Sequence, residues 1–201
     1  MGYLLSLSGL DGSGKTTQAE HISDILKKQG LNVEVIHFKT VEPKRYLPRI
    51  KNRLQQYIAD HCVENKEEVY QICCAYLFCE KVMDKVWPSL CKNDITILDR
   101  YRDSALCYHY LQGRVYPSVQ QIYNSVTNPN KNIFLDLSPE DCFKRIQSRE
   151  SLSPFETPNY LEKAYAYYQS NREKFIWINA AQAPETITWM ILSEIGSLPV
   201  L

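Results

Sequence analysis

Glycine is scarce in this chain, at seven of 201 residues, and methionine and tryptophan are scarcer at three each. Charge of one sign is lacking too, because 23 Lys and Arg balance 23 Asp and Glu. No net field is therefore present to gather nucleic acid or an anionic membrane, and a polyanion would need a local basic pocket. The first apolar run, "YLLSLSGL", is too short to span a bilayer and has neither a basic leader nor a small-residue cleavage site. A cytoplasmic protein without membrane contact is expected. Seven cysteines form no C-x-x-C pair and four histidines, at 21, 37, 61 and 109, are scattered. Reduced, mostly buried thiols are expected rather than a zinc or redox centre. No linker rich in Pro, Gly or Ser, no repeat and no low-complexity tract divides the chain, whose length suits one domain with a full core.

The few glycines are concentrated. Gly9, Gly12 and Gly14 fall within six positions of "GLDGSGKTTQ" (9–18), behind the apolar run "YLLSLS" (3–8). That run reads as a strand buried on both faces, and Ala19, Ile22, Ile25 and Leu26 follow at helical spacing until Gly30. "LNVEVIHF" (31–38) is rich in β-branched residues and reads as a second strand, completing a βαβ unit. Further strands are predicted at "ITILD" (95–99), "NIFLDL" (132–137) and "FIWINA" (175–180), with helices over 66–87 and 140–149 between them. Alternation of this kind predicts an α/β fold with a parallel sheet covered by helices on both faces.

Gly9, Gly14, Lys15 and Thr16 satisfy G-x-x-x-x-G-K-[ST], the phosphate-binding loop, in the strand-to-helix context that the motif requires. Glycines at this spacing let successive backbone N–H groups converge on one point, where the following helix aims its positive end. Lys15 would place a point charge on the β- and γ-phosphates, and the Thr16 hydroxyl would be a Mg²⁺ ligand. Ordering glycine is entropically costly, and a bound phosphate offsets that cost. A nucleoside triphosphate, ATP with Mg²⁺, is the expected occupant. Asp99 and Arg100 emerge at the carboxyl end of "ITILD", where open α/β sheets bind ligands, so Asp99 would position Mg²⁺ and Arg100 a second phosphate.

With these residues in place, the chain resembles the thymidylate kinases, in the nucleoside-monophosphate kinase group of P-loop proteins. The family's F-E-G-x-[DE]-x-x-G-K-[ST]-[ST]-Q is matched by "LSGLDGSGKTTQ" (7–18), and its D-R-Y-x-x-S-x-x-A-Y by Asp99, Arg100, Tyr101, Ser104 and Tyr108, with Cys107 for the Ala. Its L-D-x-x-P-E with R-x-x-x-R is matched by "LDLSPE" (135–140) with Arg145 and Arg149, and its terminal I-D-A by "INA" (178–180). The resemblance runs over nearly the whole chain. It implies a P-loop NTPase fold with a five-stranded parallel sheet, one kinase domain over 1–201 with a lid at about 143–157, and a homodimer. It implies γ-phosphoryl transfer from ATP to a nucleoside monophosphate, most simply dTMP, in the cytoplasm.

Carried over by position, the resemblance puts Gly9, Asp11, Gly12, Ser13, Gly14, Lys15, Thr16, Thr17, Arg145 and Ala180 around ATP. It puts Asp11, Glu42, Arg53, Phe78, Arg100, Tyr101, Ser104 and Tyr108 around the acceptor, Thr16 and Asp99 on the metal, and Lys15, Asp99, Arg100 and Arg149 at the transfer itself. Arg145 and Arg149, four apart, would share one helix face.

The chain departs from the pattern in places. "TVEPKRY" (40–46) stands for T-R-E-P-G-G-T, so Val41 replaces an Arg, for which Lys44, Arg45 or Arg49 would substitute or would merely be exposed. The helix expected to read thymine lies within 70–88 and has no Arg; the stacking Phe falls near Cys74 and the Arg near Phe78, with Tyr76, Phe78 and Lys81 as other groups able to meet a ring. No Arg occurs in "ESLSPFE" (150–156), and Ser8 replaces the Glu of F-E-G. A P-loop kinase with another small acceptor, a nucleoside or other metabolite, and a nucleotide-binding protein without turnover therefore remain as alternative readings. Retention of Lys15, Thr16 and Asp99 speaks against the last.

Overall fold

A computed structural model describes residues 1–38, 65–113 and 115–196. The positions Val41, Glu42, Lys44, Arg45, Arg49 and Arg53, on which several acceptor-side expectations fall, lie outside the described residues. Five parallel strands form one sheet in the order β2-β3-β1-β4-β5, with β1 at Tyr3–Gly9, β2 at Val33–His37, β3 at Ile95–Asp99, β4 at Lys131–Asp136 and β5 at Ile176–Asn179. These are the five expected strands: β3 has the expected bounds, β1 is one residue longer, β4 is shifted by one and β2 and β5 are trimmed at their ends. Every residue of β3 is buried, as a strand covered on both faces requires.

Helix α1 (Lys15–Lys28) packs on β1, β2 and β3 and against the last helix, α8 (Pro184–Ile195), which packs on β4 and β5. Gln18 ties the two helices by donating to the Pro184 carbonyl at 3.0 Å and accepting from the Thr188 hydroxyl at 2.8 Å. Helix α2 (Lys66–Lys81) starts at the Asn65 cap, passes through a π-helical turn at Val82–Val86 and continues as α3 (Trp87–Lys92). Pro88 has no N–H to donate back along the helix, and the wider turn before it absorbs the loss. Helices α4 (Arg102–Leu111), α5 (Pro117–Asn124), α6 (Pro139–Ile146) and α7 (Pro158–Gln169) complete the frame.

The crossovers decide where a ligand enters. Strand β1 lies between β3 and β4, while the chain leaving β1 crosses over β3 to reach β2. The carboxyl ends of β1, β2 and β3 therefore stand side by side, with Leu7 opposite Asp99 and His37 opposite Asp99. A switch point of this kind opens a crevice above the strand ends.

Beside the crevice, Phe38, Phe78, Tyr101 and Tyr123 form one buried ring cluster, with centroids of contacting pairs 5.0 to 5.7 Å apart. Offset and edge-on packing at these separations is favourable beyond area burial, and removing Phe78 would cost about 3–5 kcal/mol.

Candidate active site

The backbone geometry of the loop after β1 is what the glycine spacing demands. Gly12 and Gly14 have φ of 93° and 96°, in the left-handed region. A Cβ on Gly12 would lie 2.5 Å from the Cys142 carbonyl oxygen, so the loop sits directly beneath α6. Asn65 caps α2 and Ser138 caps α6 by accepting backbone N–H groups, yet no side chain caps α1 and its first turn holds no acid. Its unsatisfied N–H groups and dipole are left for an anion.

Lys15 is buried and donates to the Leu10 carbonyl at 2.7 Å. Burial lowers its pKa to about 8; Arg100 acts in the same direction, and Asp11 and Asp99 oppose it. Thr16 donates its hydroxyl to Asp99 Oδ2 at 2.6 Å, closing the loop onto the end of β3. Burial raises the Asp99 pKa, but Lys15 and the hydrogen bonds from Thr16 and His37 outweigh it and hold the carboxyl below its ordinary value.

Arg100 is the non-glycine residue with positive φ among those described, at 74°. Its N–H is tied to the Leu7 carbonyl at 3.0 Å and its guanidinium to the Asp11 carboxylate. Burial acts to lower the Arg100 pKa, and Tyr108 and Asp11 reverse that, so the charge is retained. Non-glycine residues held in such a strained conformation cluster at functional sites.

A cleft of about 570 Å³ gathers these groups: Asp11, Gly12, Gly14, Lys15, Thr16, Thr17, His37, Asp99, Arg100, Arg145 and Arg149 line it. Its four Lys and Arg side chains face two carboxylates, which leaves a surplus of positive charge for phosphate groups. Asp11 and Arg100 also line a smaller, partly open cavity of about 20 Å³, room for one water, together with Gly9, Ser104, Tyr108 and Phe155. Burial pushes the Tyr108 hydroxyl up to about 12, and its ring meets Phe155 edge-on at 5.2 Å.

Thus Asp11, the loop, Asp99, Arg100, Arg145 and Arg149 converge, with Ser104 and Tyr108 immediately behind. Phe78 and Tyr101 do not line the cleft: both sit in the buried ring cluster, and Tyr101 donates its hydroxyl to the Thr127 carbonyl at 3.0 Å. Ala180 is buried just beyond β5, donating to the Asp136 carbonyl at 2.8 Å, and is not a cleft wall. Tyr76 is exposed.

The shared helix face expected for Arg145 and Arg149 is corrected by the structure. Helix α6 ends at Ile146, because Cys142 and Ile146 exhaust its apolar periodicity and a polar run follows. Arg149 lies beyond it, its guanidinium donating to Glu156 Oε1 at 2.9 Å. Glu156 is buried and accepts the Ser153 N–H on its other oxygen at 2.7 Å, closing the turn after α6.

Two residues at the site carry no motif signal. His37 reaches Asp99 only through strand register, and Glu156 is a buried carboxylate that follows Leu152, Pro154 and Phe155. The β-branched pattern of β2 and the apolar neighbours of Glu156 were weak hints at best. Thr16 Oγ1 and Asp99 are oxygen donors of the type a hard cation such as Mg²⁺ takes, and they stand together at 2.6 Å. Asp99 Oδ1 is buried with no hydrogen-bond partner among the described residues, as a carboxylate oxygen reserved for a cation would be. No cluster of three or more His, Cys, Asp or Glu occurs among the described residues, so the metal's remaining ligands would be phosphate oxygens and water.

A family model described as thymidylate kinase matches residues 7–191. A probable thymidylate kinase from Archaeoglobus fulgidus is 25% identical over 191 residues, covering 90% of this chain and 88% of the relative. Another from Methanocorpusculum labreanum is 28% identical over 210 residues, with 98% of each chain covered. A thymidylate kinase from Caldanaerobacter subterraneus is 26% identical over 158 residues, 75% of this chain and 71% of the relative.

Proposed function

The chain belongs to the thymidylate kinase family, and on that premise we propose that it transfers the γ-phosphoryl group of ATP to dTMP, forming dTDP and ADP, with the cleft above β1 and β3 as the active site. The observation that carries this reading is the convergence of Lys15, Arg100, Arg145 and Arg149 on one cleft beside the uncapped start of α1.

Two polyanions have to approach within bonding distance, and each cation lowers the repulsion between them. The loop N–H groups and Lys15 hold the donor phosphates, while Arg100, braced by Asp11, holds the acceptor phosphate. An acceptor phosphate oxygen attacks the γ-phosphorus in line, and the bond to the ADP oxygen breaks as the new one forms. No protein nucleophile is needed, since positioning and charge neutralisation supply the rate. Arg145 and Arg149 approach from the lid side, where they neutralise charge that develops on the transferring group. Thr16 and Asp99 would hold Mg²⁺, which when bound would neutralise charge on the donor phosphates.

The reading extends to a single kinase domain with its lid at about 143–157, to a homodimer, and to the cytoplasm. An exposed apolar stripe on one helical stretch, Tyr76, Met83 and Trp87, supports the dimer. Six described cysteines are all unpaired, which suits a reducing compartment. No described helix is long and apolar enough to cross a membrane.

The test is ADP release from ATP and Mg²⁺ with a panel of nucleoside monophosphates, the matching nucleosides and a no-acceptor control. Preference for dTMP is expected. Turnover with another acceptor and none with dTMP would make the arginines missing at Val41 and along 70–88 the mark of a different kinase.

A further inference from the structure

His37 lines the phosphate cleft, yet it belongs to none of the recognised motifs. It is the last residue of β2, and parallel register sets it directly opposite Asp99 at the end of β3. Paired residues on neighbouring strands project to the same face of a sheet, and the two side chains meet: His37 Nδ1 lies 3.1 Å from Asp99 Oδ2. A carboxylate only accepts, so Nδ1 carries the proton and donates. The same Oδ2 accepts the Thr16 hydroxyl at 2.6 Å, and Oδ1 stays without a partner among the described residues.

The terminal torsion of an aspartate is broad and roughly two-fold, so one hydrogen bond from a rotatable hydroxyl leaves the carboxylate plane poorly defined. A second donor on a different strand, through a stiff ring, removes that freedom. We propose that His37 is a positioning residue for the metal site: its Nδ1–H fixes Asp99 Oδ2 so that Oδ1 is presented for Mg²⁺. The assignment rests on the reading above that Asp99 and Thr16 hold the metal. Outer partners that orient a metal ligand are commonly worth ten-fold or more in metal affinity. The competing role, a cation resting directly on a phosphate, makes a different prediction, because an amide keeps the donor and loses the charge.

The experiment compares His37→Leu, His37→Asn and Asp99→Asn by calorimetric titration of ADP with and without MgCl₂, Mn²⁺ titration by electron paramagnetic resonance, and the Mg²⁺ concentration for half-maximal turnover. The Asn amide nitrogen overlays Nδ1 of His, and Leu has no donor. His37→Leu is expected to raise the Mn²⁺ dissociation constant in the presence of ADP, and the half-activating Mg²⁺ concentration, by about ten-fold or more. Metal-free ADP affinity should stay within about two-fold of the parent, and His37→Asn should recover metal affinity to within about three-fold. Unaltered metal dependence in His37→Leu, or His37→Asn as impaired as His37→Leu, would overturn the role. Asp99→Asn separates the premise: if it retains the Mg²⁺-dependent gain in ADP affinity, the metal assignment falls and the His37 role with it. Thermal midpoints are measured for each variant, and His37→Gln, which places its amide away from the Nδ1 position, replaces the Leu variant if that one unfolds.

Discussion

Lys15 and Arg149 face the same cleft from opposite sides. Lys15 is buried, donates to a carbonyl of its own loop and is placed by glycines a few residues away. Arg149 is half exposed, lies past the end of α6 and is placed by Glu156 at the far side of the lid turn. Donor-side groups are thus set by short-range backbone geometry, and lid-side groups by side-chain pairs across a turn. The first arrangement is set by the loop backbone itself, and the second depends on one ion pair between residues seven apart.

The strongest way to break the comparison is at the donor side. Lys15→Ala is expected to lower kcat by about 10³-fold or more while leaving the circular dichroism spectrum unchanged. Normal turnover in that variant would sink the assignment of the loop. Arg100→Ala leaves Asp11 without its buried partner, and kcat/KM for the acceptor should fall by about 10²-fold. Steady-state kinetics varying each substrate would show an effect confined to ATP if the acceptor role is mistaken.

On the lid side the losses should be smaller and shared. Glu156→Gln and Arg149→Ala are each expected to lower kcat by about ten-fold, with the double variant little worse than either alone, because both remove one placed guanidinium. Independent, multiplying losses would show that Glu156 does not hold Arg149 for catalysis.

Titration of Lys15 gives a smaller effect on the donor side. Its pKa of about 8 lies below the ordinary lysine value. The unfolded chain therefore binds more protons between about 8 and 10.5, and apo stability attributable to this group rises with pH across that window. Phosphates favour the charged form, so ATP binding should take up protons near pH 8 and weaken several-fold per unit above it. Calorimetry in buffers of different ionisation enthalpy reads the uptake, and none at pH 8 to 9 would contradict a partly neutral Lys15. The smallest expected effect concerns backbone strain. Arg100→Gly should be more stable than Arg100→Ala by about 0.5–1 kcal/mol in thermal unfolding, since glycine tolerates the positive φ.

Much of the loop was legible because its constraints are contiguous: Gly9 to Thr17 define it, and Asp11, Gly12 and Gly14 to Thr17 line the cleft. Strands β1, β3 and β4 were legible as apolar runs, and Asp99 and Arg100 stood at a recognisable strand end. Less legible were the bounds of α6, where Lys144 and Arg145 continue a helical composition that the loss of apolar spacing cuts off at Ile146. Phe78 and Tyr101 show the limit of positional carry-over. Both occupy expected acceptor positions, and both are absorbed by the ring cluster they form with Phe38 and Tyr123.

By itself, the amino-acid sequence determined the α/β alternation, the phosphate loop and its cations, because local spacing and residue type suffice for a turn, a helix start and a point charge. Only the tertiary structure decided that His37 stands against Asp99, that Arg100 adopts a left-handed backbone tied to Leu7 and Asp11, and that Glu156 holds Arg149. Those pairings arise from strand order, register and the turn after α6. They join residues up to about ninety positions apart, where no local periodicity carries information about the partner.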